Sequence, residues 1–402
     1  MLRFGPALGL LAAAVIFQPA GNALADKAVY RLSGAACGGL PRIDLPTAPG
    51  YCLGLVMAGL KFPRGLLPLD NGRILVAEMV GWGSAKGRVT ALVPDGKGGF
   101  AKSELLRGLA QPHGLALGPD GKVYVGVVGG VKRFDLADPK GSLEDVIGGK
   151  AAVPGPPGDG RHPLASLLFT DRRTLLVNVG SFSNNCEDEN GGLPKAGLPC
   201  PETQGAQAHG LVREYDFDWA SGRATGWRVF ATGLRNSMGL AQHPDSKIIL
   251  QAENSRDDID QVMPGLENDE DLPPDELNVL AAGKDYGWPY CYGANLPSPE
   301  YAHWICSRSE APQTELPAHA APLGLAWWQG GLVVGFHGYR SHGHRLVWYP
   351  VDAQGLPNGK YKELASGWEN PDGAPVDLRV GPEGGLYISE DRNGTVLRLT
   401  KG

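Results

Sequence analysis

"QPHGLALGPDGKVYVGVVGGVKRFDL", residues 111–136, carries the grammar on which the reading of the whole chain turns. A short strand of small and apolar residues runs into a turn at Pro119-Asp120-Gly121. Proline presets φ there, and Asp and Gly tolerate the backbone that the turn demands. A second strand rich in β-branched residues follows, then a Gly-Gly turn, then a third strand ending on a polar residue. The same order recurs from Phe62, His162, Arg235, Ala321 and Ala374. In the third unit two apolar runs flank a polar corner at Asp171-Arg172-Arg173, which reads as a hairpin. The simplest units start roughly 50 residues apart, a propeller-like period. Six such units predict an all-β, six-bladed β-propeller whose blades are four-stranded antiparallel sheets. A pair of β-sandwiches is the competing architecture, and it leaves the repeated grammar unexplained. Residues 26–60 precede the first clear unit and either complete the last blade or cover an edge.

Composition agrees with a large, turn-rich β structure. The 402 residues include 59 glycines and 33 prolines, and no long amphipathic helical stretch is present. The first 25 residues have Arg3, an apolar middle and an Ala-Leu-Ala end, which reads as a secretory signal cut after Ala25. The competing reading, an anchoring helix, is interrupted early by Pro19 and Gly21. This leaves residues 26–402 as a single propeller domain without a membrane span, in a periplasmic or secreted protein. With a formal net charge of −6 and no basic run, nucleic acid is not an expected partner. Six cysteines fall into local couples, Cys37 with Cys52, Cys186 with Cys200 and Cys291 with Cys306. In an oxidising compartment these predict three disulfides, each closing a short loop worth about 3 kcal/mol in the chain-entropy model.

Two units are stretched. Residues 182–208 insert a polar loop around Cys186 and Cys200, and residues 253–275 insert an acidic one. Long loops on a compact scaffold tend to carry function. His113, His162, Arg235 and Asn236 stand at equivalent places near the starts of their units. On a propeller such positions meet around the axis, which makes one joint site of residues far apart in sequence.

Three segments carry a resemblance to a known family. "TGLRNSMGLA", "DELNVLAAGKDYGWPYCYG" and "APVDLRVGPEGGLYISEDRNGTVLRL" resemble segments of the soluble quinoprotein sugar dehydrogenases, especially the aldose and sorbosone dehydrogenase-like proteins. The resemblance implies pyrroloquinoline quinone as cofactor and Ca²⁺ as a bridging ion. It also implies a sugar or related aldehyde as substrate, and an external electron acceptor, a quinone or a cytochrome. By resemblance His162 is the base, and an imidazole suits that task because it titrates near working pH. Arg235 is expected to stabilise the developing oxyanion and, with Asn236, to hold the anionic cofactor. Gln111, His337 and Arg340 are further candidate cofactor contacts. Glu253, Asn254, Asp257 and Asp258 lie where the family's calcium ligands lie, and hard oxygen donors fit that ion.

The chain also departs from the family. Ala374 and Val376 stand where an arginine pair is expected in the last blade. Gly180-Ser181 replaces a Gly-Asp whose aspartate orients the histidine. The aromatics of Tyr286–Tyr292 read as packing and disulfide cover rather than a sugar platform, and Trp327 and Trp328 as core or rim. Two other functions remain open at this level. One is a metal-dependent lactonase or esterase-like hydrolase, which needs inward acidic ligands that the unit starts do not display. The other is a non-catalytic binding propeller, which the lost arginines and aspartate favour.

Overall fold

The computed structural model describes residues 29–402 except 189, 191, 193–197 and 369–371, so the signal segment lies outside the described residues. Those residues are all β apart from four short 3₁₀ turns, and six four-stranded antiparallel sheets form a six-bladed propeller. Each blade begins with its innermost strand: Pro63–Pro68, Leu115–Leu117, Leu167–Phe169, Ser237–Gln242, Pro322–Trp328 and Pro375–Val380.

The second strand of each blade is buried along its whole length, as in Ile74–Glu78, Val123–Val127 and Leu175–Val179. Covered on both faces, such strands are runs of Val, Ile and Leu rather than alternations. The expected turns form. At residues 118–121 the Gly121 amide donates to the Gly118 carbonyl, with Gly121 at φ +75. The polar corner at Asp171-Arg172-Arg173 joins Leu167–Phe169 to Leu175–Val179 in register.

The ring is closed by the segment that precedes the first unit. Tyr51–Met57 pairs with Thr395–Lys401 and becomes the fourth strand of the last blade. A hairpin of Leu32–Cys37 and Leu40–Ile43 extends that sheet. Both alternatives are therefore realised by the described part of this segment, residues 29–60: it completes a blade and covers its edge. The expected disulfides Cys37–Cys52, Cys186–Cys200 and Cys291–Cys306 are present. The last two each close a local loop, one in the insert of the third blade and one between the last two strands of the fourth, and the Cys200 amide joins these loops by donating to the Tyr290 hydroxyl at 2.6 Å.

The core is six wedges, one between each pair of neighbouring blades. Leu75, Ala77 and Val89 meet Leu115, Val123 and Val125 between the first two blades. Leu250, Ala252 and Leu277 meet Leu325, Leu332 and Val334 between the fourth and fifth. At the axis, contact is tighter. A Cβ on Gly65 would come 2.2 Å from the His113 carbonyl oxygen, and one on Gly239 would come 2.5 Å from that of Leu323. Bare backbone is all that fits between adjacent inner strands. Gly239→Ala is therefore expected to destabilise the protein by about 2 kcal/mol or more, read as a lower urea midpoint.

Several carboxyls are sealed inside the blades. Burial, with the neighbouring Glu276 charge, pushes Glu253 up to about 8. Burial pushes Asp275, Glu276 and Glu390 each up to about 7. Unfolded, these groups lose their protons near pH 4, at about the ordinary carboxyl value. Between about pH 4 and pH 8 the folded chain therefore binds more protons than the unfolded one, and stability falls as pH rises. Circular-dichroism melts should show a Tm that drops from pH 5 to pH 8.

Candidate active site

A cavity of about 260 Å³ opens at one end of the axis. Its geometry follows from the strand starts. In five units a proline opens the inner strand or closely precedes it: Pro63, Pro322 and Pro375 open theirs, and Pro112 and Pro163 come shortly before theirs. Phe62, His162 and Ala321 precede their prolines and face the cavity, and Asn236, which precedes Ser237 in the fourth unit, does the same. Leu164, Met238 and Leu323 come one residue later and form with Phe62 an apolar cluster that floors it. Register shifts in four inner strands, such as between Pro63 and Leu66, mark where the chain turns toward the mouth.

His162 sits on the wall. Its Nδ1 lies 2.8 Å from the Ser181 hydroxyl, while Nε2 has no hydrogen-bond partner among the described residues. Burial, then the Arg235 and Arg161 charges, hold it well below an ordinary imidazole, so it is uncharged at neutral pH. The position requires Gly180, because a Cβ there would come 2.4 Å from that of His162. Asn236 shares the wall. Its amide nitrogen donates to Asn254 Oδ1 at 3.0 Å, leaving its buried Oδ1 unpartnered.

His337 lies across the cavity, with Nε2 3.1 Å from Asp391 Oδ2. Asp391 also pairs with Arg64 at 2.5 Å and accepts from the Tyr339 hydroxyl at 3.2 Å. Burial opposes its ionisation. His337, Arg64 and the Arg392 amide nevertheless hold it well below the usual carboxylate range. The Arg392 guanidinium lies 3.5 Å from the Tyr339 ring, and Arg161 pairs with Asp257 at 3.4 Å. Three guanidinium-bearing residues, Arg64, Arg161 and Arg392, thus line the cavity, with Trp82 on its rim.

Other expected contacts stand elsewhere. Arg235 does not line the cavity. It is buried behind Asn236, where its guanidinium donates to the carbonyls of Asn184, Asn254 and Ser255 and to Asn184 Oδ1. It splices the two inserted loops. Gln111 braces the rim: its Oε1 accepts from the Gly83 backbone amide at 2.9 Å, and its own backbone N–H donates to the Ser84 carbonyl. These bonds fix the loop that carries Trp82. Arg340 reaches away to Asp269 at 2.5 Å. His113 lies beneath the floor, its Nδ1 accepting from Arg64 Nε at 3.1 Å. Trp328 is core, Trp327 is partly buried against the next wedge, and Tyr290 stacks on Trp304 as disulfide cover.

The four candidate calcium ligands do not converge on one point. Glu253 accepts from the Asn236 amide, Ser237 and Gln251, and Asn254 bonds to Asn236 and the Pro322 carbonyl. Asp257 pairs with Arg161, Arg235 and His319. Asp258 lies near Asp260 and Asp269, but the Asp269 oxygens already accept from Arg340 and the Asp258 amide. This set does not fit a shared ion.

The missing arginine pair has a structural answer. Val376 belongs to the same apolar cluster as the floor, and Ala374 is fully buried. The cations come from Arg64, which follows the first proline, and from Arg392 in the loop after the last blade's second strand. Arg64 was legible: it occupies the same place in its unit as His113. Arg161 and Arg392 lie outside the repeat columns, and no spacing marks them.

A propeller with an uncharged histidine and three arginines around one axial cavity defines a class, and comparison places the chain within it. Residues 45–402 match the TrAA12-like family model, and the chain belongs to that family. A pyrroloquinoline quinone-dependent sugar dehydrogenase of Hypocrea jecorina is 28% identical over 271 residues, 61% of this chain and 56% of that protein. A pyrroloquinoline quinone-dependent pyranose dehydrogenase of Coprinopsis cinerea is 22% identical over 90% of this chain and 55% of that protein. The chain spans about half the length of the curated relatives it matches. In fold it is similar to the holo quinone domain of Coprinopsis pyranose dehydrogenase, with TM-score 0.72 at 20% identity over 90% of this chain and 99% of that one. The calcium structure of a Trichoderma reesei family AA12 enzyme also gives TM-score 0.72, at 22% identity over 89% and 97% of the two chains.

Asp391 is the anion that holds Arg64, His337 and Tyr339 in place. Asp391→Asn is expected to cost about 3 kcal/mol or more, because it leaves Arg64 buried without its charge partner. Thermal denaturation checks this.

Proposed function

We propose that the protein oxidises a sugar, of the aldose or sorbosone type, with pyrroloquinoline quinone held in the axial cavity. Electrons then pass to an external quinone or cytochrome, in the periplasm or outside the cell. One observation carries the reading: a half-buried imidazole kept uncharged, its Nε2 without a hydrogen-bond partner among the described residues, shares a cavity with Arg64, Arg161 and Arg392. The orphaned Asn236 Oδ1 and this cationic lining fit an anionic, hydrogen-bonding planar group. When bound, the quinone supplies a two-electron acceptor for the hydride of the sugar's carbinol carbon.

The chain's own residues do the rest. Arg161 and Arg392 bind carboxylates at the mouth, and Arg64, held by Asp391, adds positive potential at the wall. Asn236 orients a polar group from the side. His162 accepts the substrate hydroxyl proton on Nε2 as the carbon–hydrogen bond breaks. The apolar floor of Leu164, Met238 and Leu323 keeps bulk water out from below.

Asp391 is the only carboxylate on the lining among the described residues, and it is engaged by Arg64 and His337. A metal-dependent hydrolase has no ligand ring here.

Titration of the purified protein with pyrroloquinoline quinone, with and without Ca²⁺, followed by dye-linked assays on aldoses, tests the reading. Quinone uptake and turnover are expected; absence of both overturns it. His162→Gln should lower kcat by about a hundredfold or more and leave uptake intact. Arg392→Gln should weaken uptake about tenfold.

A further inference from the structure

The aspartate that would orient the histidine is replaced by Ser181, and the structure shows what the serine does instead. Ser181 is fully buried. Its backbone is clamped on both sides: its amide donates to the Arg235 carbonyl at 2.7 Å, and its carbonyl accepts from the His162 amide at 3.2 Å. Its hydroxyl lies 2.6 Å from the Ser183 carbonyl oxygen and 2.8 Å from His162 Nδ1. A hydroxyl has one proton to donate. A carbonyl oxygen has none, so the 2.6 Å contact is made only if the Ser181 proton points at Ser183. The hydroxyl oxygen is then an acceptor toward the imidazole, and Nδ1 must carry the ring proton.

The Ser183 carbonyl is itself held in place. Glu202 accepts from the Ser183 amide at 3.2 Å and from its hydroxyl at 2.7 Å, and also from the Phe182 amide at 3.1 Å. Glu202 comes two residues after Cys200, at the closing end of the Cys186–Cys200 loop. The polar insert of the third blade therefore leads, through Glu202 and the Ser183 carbonyl, to the hydroxyl of Ser181.

We propose that Ser181 is a positioning residue: aimed by the disulfide-closed insert, it locks His162 as the Nδ1–H tautomer and leaves the Nε2 lone pair facing the cavity. A neutral hydroxyl sets the direction of the base in place of a carboxylate. Free imidazole side chains favour the opposite, Nε2–H form, so the lock has a measurable consequence. The effect on rate rests on the dehydrogenase reading above; the tautomer itself does not.

The test uses the full-length protein with histidine labelled by ¹⁵N, the His162 signals being assigned by their loss in His162→Gln. Ring-nitrogen chemical shifts at pH 7.5 are expected to be pyrrole-type for Nδ1 and pyridine-type for Nε2. Ser181→Ala should shift the population toward Nε2–H. With quinone loaded, it should lower kcat about ten- to a hundredfold and leave KM within about twofold. A wild-type spectrum with Nε2 protonated overturns the proposal without recourse to any variant, as does an unchanged tautomer in Ser181→Ala. A locked wild-type tautomer in a protein that neither binds quinone nor turns over would overturn the dehydrogenase reading alone.

Discussion

Six inner strands converge on one axis, and where they cross there is room for backbone only. That crowding is the constraint from which the rest of the molecule follows. Glycine at positions 65, 114, 239 and 324 lets neighbouring strands approach to distances that no side chain permits. Because those strands are pinned at one height, the residues just before them are brought to one height as well. His162 and Asn236 from separate blades thereby share one cavity with His337, and apolar residues one position later seal it from below. The wedges between blades make the ring stiff, and closure by Tyr51–Met57 keeps it from opening at the last blade.

Charge at the mouth is arranged by few anions. Asp391 is shared by Arg64, His337 and Tyr339. Asp257 lies between Arg161 and Arg235. The lining itself carries three guanidiniums and one carboxylate, with Asp257 and Asp372 pairing Arg161 and Arg392 from outside it, and the imidazole among these cations stays uncharged. Such a setting favours an anionic ligand and a base that is ready without first losing a proton. Val376 is part of the apolar floor, and Arg64 and Arg392 place guanidinium groups on the lining.

Much of this was legible. The repeat grammar led to six blades, and spacing led to the three disulfides, because turns and loop closures are local events written in neighbouring residues. His162 and Asn236 could be placed at the cavity, since equivalent positions in equivalent units must meet at the axis, and His337, offered by resemblance, lies there too. Arg235 misled for the same reason. It sits beside Asn236 in sequence, but adjacent residues on an extended chain point to opposite sides, and its side chain turned into the loops behind. Gln111 occupies the right place in its unit, yet its amide holds the rim loop. Arg340 and the calcium candidates were read from loops, whose course no period constrains.

The sequence by itself determined the β-propeller, its disulfide framework and the column that brings His162 and Asn236 to the axis, because each rests on local pattern. Only the tertiary structure decided which arginines face the cavity, that Asp391 holds Arg64 and His337, and that the Ser181 hydroxyl meets the His162 ring. Those outcomes depend on the direction of single side chains and on loops from different blades meeting at the axis, which distance along the chain does not encode.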